Sequence, residues 1–126
     1  MASKKADSDP GGGPQKRILF EGRVPQERLE ELMAEALVDC YNESEEAIGL
    51  YTMMEDNLAF PFWTHVLGAE VEVGKLDLNE GGEVVVVCTY GDSRQDVSVL
   101  DLPLPDPPPE GWEWIEAYRH WARGRR

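Results

Sequence analysis

A chain of 126 residues that is 41% hydrophobic carries enough apolar surface for one small domain with a core of its own. Its formal charge of -13 is concentrated in the middle, where residues 24–118 hold 22 acids against three bases, Arg28, Lys75 and Arg94. A body of that sign repels nucleic acid and anionic membranes and gathers cations, so calcium, magnesium or a basic protein are the partners it favours, with a merely solubilising acidic surface as the plain alternative.

Residues 1–17, rich in Gly, Ser, Asp and Lys, cannot bury apolar surface and read as a disordered tail. They contain no apolar stretch of a secretory signal, and the longest apolar run, Val84 to Cys88, is far too short to span a bilayer; the expectation is a soluble, cytoplasmic protein. A single domain is expected over 18–122, followed by a basic tail over 123–126. From Pro25, which suits a first helical turn, Leu29, Leu32, Met33, Ala36, Leu37 and Cys40 recur at helical spacing and predict a helix from about 26 to 43. Gly49 and the pair Asp56 and Asn57 then punctuate a shorter helical piece that ends before Pro61. Cys40 and Cys88 lie far apart in apolar patterns and read as buried thiols, not as a disulfide or a zinc site.

The period then changes from 3.6 to 2. "FPFWTHVL" reads as a first strand; "AEVEV" and "GKLDL" alternate in opposite phases, which places a bulge or bend at Gly74. "NEGGE" is a turn, "EVVVVCTY" a strand buried on both faces, "YGDS" another turn and "QDVSVLDL" a further strand. These are too few strands for a sandwich. The expected fold is α+β, with N-terminal helices, a small antiparallel SH3-like β-barrel and a short C-terminal helix, "WEWIEAYRHW". The proline-rich "DLPLPDPPPEG" before that helix reads as a stiff strap; its PxxP spacing is a poor SH3 ligand because acids flank it where a base is usual.

Residues 39–57 hold six carboxylates and no base. On a continuous helix at 100° per residue, with Leu29 at zero, the apolar arc runs from about 300° to about 80°, Asp39 falls at about 280° and Glu43 at about 320°. The two acids then stack one turn apart against the apolar face, near the negative end of the helix dipole, and both features cost stability unless a cation compensates. Glu55 and Asp56, with Asn57, form a second acidic set that a helix-turn-helix could bring against the first. A divalent ion such as calcium, which takes 6 to 8 oxygens, would reverse each penalty. In the competing account Ser44 caps a new helix, and Glu45 and Glu46 occupy its favourable first turn without any metal. Asp101 continues the phase of Val97 and Val99, which points it inward at a strand end as another possible ligand. Asp77 in "DLNEGGE" has part of an EF-hand spacing, but the twelfth position is Cys88 and the flanks are strands, so a hairpin turn is the reading there.

The strings "DCYNE", "YTMMEDNLAFPF" and "VLDLPLPDPPPEGWEWIEAYRHW" closely resemble the small acidic calcium-binding proteins of the CcbP type known from filamentous cyanobacteria, over about Gln26 to Trp121. The resemblance implies a bacterial calcium binder without EF-hands, whose acidic, bowl-like surface collects calcium at more than one site to buffer the ion or modulate its signalling. Matched residue by residue, it carries Asp39, Glu43, Glu55 and Asp56 onto the acidic positions of these motifs, and Asp101 onto the acid before "LPLP". Glu46, inside the same run, completes the candidate ligand set. The basic N-terminal extension and the arginine-rich end depart from the family pattern. No enzyme is expected, since neither His65 nor His120 sits in a recognisable catalytic constellation and nothing marks one acid of a pair as held protonated. The rival reading is an acidic interaction module for a basic partner.

Overall fold

The structure, a computed structural model, describes residue 20 and residues 22–124. The expectations for residues 1–17 and for the end of the basic tail lie outside the described residues. Helices α1 (Gln26–Ala36) and α2 (Glu43–Asn57) are followed by strands β1 (Phe62–Val66), β2 (Ala69–Leu78), β3 (Val84–Tyr90) and β4 (Ser93–Ser98), a 3-10 turn (Val99–Asp101) and helix α3 (Trp112–Arg123). The order matches the α+β expectation.

Consecutive strands pair antiparallel in the order β1-β2-β3-β4. The register Phe62 to Val73 to Cys88 to Gln95 runs across the sheet, so these residues share one face. That face supplies Phe62, Val71, Val73, Leu76, Val84, Val86 and Cys88 to the core, against Leu32 and Ala36 of α1, Leu50 and Met54 of α2, and Ile115 and Tyr118 of α3. Val85 and Val87 on the other face are buried as well, as the unbroken apolar run predicted. The register slips between Val73 and Lys75, so Gly74 is the expected bulge.

Two expectations about the sheet are corrected. It is an open four-stranded sheet, not a closed barrel. And the segment expected as one strand through Asp101 leaves the sheet at Ser98, whose hydroxyl accepts the Leu100 N–H and starts the 3-10 turn. The strap that follows carries prolines at 103, 105, 107, 108 and 109, which offer no N–H for a regular ladder. It is held instead by single bonds. Thr64 Oγ1 donates to Pro103 O at 2.6 Å, and Phe20 N–H to Leu104 O at 2.8 Å. Arg119 of α3 donates Nε–H to Val99 O at 3.0 Å and Nη2–H to Leu102 O, while its Nη1 pairs with Glu116 at 2.7 Å.

The helix expected over 26–43 ends at Ala36, and a second helix begins only at Glu43. Leu37 closes α1 by donating its N–H to Met33 O, and Asp39 turns the chain with a left-handed φ of 62°. Asn42 then caps α2: its Oδ1 accepts the Glu45 N–H at 2.8 Å, while Glu45 Oε1 accepts the Tyr41 N–H at 2.7 Å, a reciprocal pair of the capping-box kind. The cap supplies acceptors for the N–H groups that a new helix start exposes, which makes the break at 37–42 tolerable despite the apolar periodicity that runs through it. α2 is the longer helix, and Gly49 does not punctuate it; the glycine lets α2 approach α1, since a Cβ there would lie 2.5 Å from Ala36 O. A second close approach joins α2 to α3, where a Cβ on Gly111, at φ 89°, would lie 2.2 Å from Asn57 O.

Candidate metal centre

The turn between α1 and α2 gathers Asp39, Glu43, Glu45 and Glu46. The last three occupy the first turn of α2, where the helix dipole favours negative charge. This reverses the expected sign for Glu43, which stands at the beginning of a helix and not near the end of one. It also separates Asp39 from Glu43, which no longer stack on one helical face. The cap itself is Asn42, two residues before the expected Ser44, although the first-turn placement of Glu45 and Glu46 holds.

Cys40 sits inside this cluster. It is half-buried, not fully buried as expected, whereas Cys88 is buried as expected; both thiols are free. Burial, and then the charges of Glu45, Glu46 and Asp39, push the Cys40 thiol pKa up. Glu46 also accepts the Trp121 Nε1–H from α3 at 2.8 Å. Beside it lies a hollow of about 300 Å³ between α2, the β2–β3 turn and α3, lined by Glu43, Ala47, Leu78, Gly81, Gly82 and Trp121.

Glu55 and Asp56 lie in the last turn of α2, about 18 Å from Glu43 at 1.5 Å per residue. There the dipole disfavours them, and no base stands in the turn to compensate. Glu55 accepts the Tyr51 hydroxyl at 3.4 Å. Burial, then the charges of Glu55 and Asp77, raise the pKa of that phenol. The Asp77 segment forms the expected hairpin, with Asn79 Oδ1 accepting the Glu83 N–H at 2.9 Å. Asp101 lies exposed in the 3-10 turn and does not point inward, because its strand has already ended.

The six acids singled out from the sequence therefore stand in three places: Asp39, Glu43 and Glu46 at the head of α2, Glu55 and Asp56 at its tail, and Asp101 at the strap. The expected convergence of the first two sets is absent. Among the described residues, no three carboxylate, imidazole or thiol groups stand together closely enough to hold one ion. Sequence reasoning missed the roles of Asn42, Glu45 and Trp121. The spacing Asn42-x-x-Glu45 was a usable signal for the first two; nothing local could announce that Trp121 would reach Glu46 from 75 residues away.

A family model for CcbP-type proteins, described as calcium binding, matches residues 30–122. The crystal structure of Anabaena CcbP is similar to this chain with a TM-score of 0.66 at 21% identity, over 82% of this chain and 95% of that one. A calcium binding protein in its calcium-binding form is similar with a TM-score of 0.60 at 22% identity, over 79% and 93%. No curated protein matches the sequence. At these identities the two structures speak for a shared fold.

Proposed function

From the premise that this chain belongs to the CcbP family of calcium-binding proteins, we propose that it is an acidic, non-EF-hand calcium binder of the cytoplasm that buffers the ion or modulates its signalling. Residues 18–122 form its single calcium-binding domain. No described helix is long and apolar enough to cross a membrane.

The ions are held at separate places, not in one pocket. At the head of α2, Asp39, Glu43 and Glu46 supply carboxylates around the turn, and the left-handed backbone at Asp39 leaves main-chain oxygens of that turn outside any helix. At the tail, Glu55 and Asp56 stand beside the last carbonyls of α2, which have no intrahelical donor, and a hard cation there relieves both the dipole and the mutual repulsion. Asp101 is a further, isolated oxygen source. Water completes the 6 to 8 oxygens that calcium takes, so neither place needs a preformed cage. The observation that carries the reading is the run 39–57 itself: six acids and no base, distributed to both ends of one helix.

Calorimetry tests it. Calcium is titrated into chelator-treated protein in excess magnesium, with Asp39→Asn/Glu43→Gln and Glu55→Gln/Asp56→Asn as separate variants. Each pair is expected to remove its own part of the binding and leave the other. Absence of heat below millimolar calcium would overturn the proposal and favour an acidic module for a basic protein.

A further inference from the structure

The charge pattern along β4 points beyond ion binding. Among the described residues, β4 is an edge of the sheet, paired with β3 alone. An edge strand presents a row of unpaired N–H and C=O groups to any other strand of matching pattern. Its sequence is Ser93-Arg94-Gln95-Asp96-Val97-Ser98. Arg94 is one of three bases in a body with 22 acids, yet among the described residues neither Arg94 nor Asp96 makes an ion pair or a side-chain hydrogen bond. Both are exposed.

We propose that β4 pairs antiparallel with β4 of a second copy of this chain, in a two-fold dimer centred on Gln95, with Arg94 of each copy opposite Asp96 of the other. Alternation fixes the faces: Ser93, Gln95 and Val97 share the core face of the sheet, and Arg94, Asp96 and Ser98 the other. Keeping the two core faces on the same side allows only two-fold registers centred on a residue. Centring on Arg94 opposes two arginines, and centring on Asp96 opposes two aspartates. Centring on Gln95 makes two opposite-charge pairs within the strand, whereas centring on Ser93 makes them only through Asp92, which lies in the turn before β4, so the sequence disfavours its own neighbouring registers.

A second feature lies on the same edge. An open cleft of about 270 Å³ runs past the helices to this edge, lined by Val66, Val71, Cys88 and Val97 and, at its rim, by Arg94 and Gln95 of β4 itself, with no acid in its lining. Leu67 is fully exposed at a left-handed φ of 52°, and Tyr90 is 60% exposed. Pairing through β4 sets the two clefts side by side across the seam. At physiological salt the Debye length is about 8 Å, so repulsion between the two acidic bodies is largely screened while the contacting pairs remain.

The test is sedimentation equilibrium of the full chain at 0.15 M salt with chelator present, which keeps it independent of calcium binding. The wild type is expected to dimerise. Arg94→Asp and Asp96→Arg are each expected to weaken the dimer about tenfold or more, because each puts like charges opposite one another twice. The double variant Arg94→Asp/Asp96→Arg restores opposite charges and is expected to return to within about threefold of wild type. Circular dichroism establishes that all three variants fold. A wild type that stays monomeric, a dimer indifferent to the single changes, or a double variant no better than either single one would each overturn the proposal; in those cases the two charges merely blunt an edge.

Discussion

Gly49→Ala sets two effects of known size against each other. Alanine in a helix interior is favoured over glycine by about 1 kcal/mol, so an unobstructed site would gain stability. Here the new Cβ would lie 2.5 Å from Ala36 O and 3.4 Å from Cys40 Sγ. Reaching ordinary contact requires α1 and α2 to separate by about 0.9 Å, and the obstacle is a backbone carbonyl in the last turn of a helix, not a side chain that can swing away. Separation opens the interface where Leu32 and Leu50 are fully buried. Overpacking of this kind costs about 1–3 kcal/mol, which at its lower end cancels the propensity gain and at its upper end leaves about 2 kcal/mol of net destabilisation; a backbone obstacle places the site toward the upper end. For a domain of roughly 100 residues, each 1 kcal/mol moves the midpoint by about 4–8 °C. Thermal and urea unfolding of the chelated protein should therefore show a lower midpoint with unchanged urea m-value. Since the α1–α2 turn hangs between Ala36 and Gly49, calcium binding at Asp39 and Glu43 should weaken more than at Glu55 and Asp56. A midpoint raised by the full propensity gain would refute the reasoning, because it would mean the helices do not meet as closely as described.

Arg119→Met removes the donors to Val99 O and Leu102 O and the partner of Glu116, all largely buried, and should cost about 3 kcal/mol, read as a fall in the urea midpoint. Tyr118 is held above its ordinary pKa, chiefly by burial. Above about pH 10 the unfolded phenol ionises while the folded one stays neutral, so its stability contribution, fully present below that pH, is lost as the pH rises; Tyr118→Phe should flatten the alkaline slope of stability in urea melts. Calcium should change the tryptophan emission through the Glu46 to Trp121 bond, and Trp121→Phe should remove most of that change while leaving calorimetric binding in place. An undiminished signal from Trp63, Trp112 and Trp114 would show that the ion does not act through Glu46.

The strands were legible because period 2 and the valine run survive any tertiary context, and Gly74 because a phase reversal within one strand requires one residue to drop out of the pairing. The strand end at Ser98 was not, since Val97, Val99 and Asp101 keep the alternating pattern while the hydroxyl and the coming prolines divert the backbone. The helix break at 37–42 was obscured in a similar way. Leu37 and Cys40 continue the helical spacing of α1, and only the cap formed by Asn42 and Glu45 reveals that another helix begins. That one misreading propagated, because stacking Asp39 under Glu43 and folding Glu55 back onto them both depended on it. Which acids matter as a set is a question of three-dimensional placement; composition could say only that they were many and outnumbered the bases.

α3 meets α2 at both of its ends: Gly111 lies against Asn57, and Trp121 holds Glu46. The later helix is thus a bracket of nearly fixed length bolted across the earlier one, with an acidic patch at each bolt. The two fastenings fix how the later helix lies along the earlier one, and because they stand at opposite ends with no oxygen in common, each patch can fill without the other.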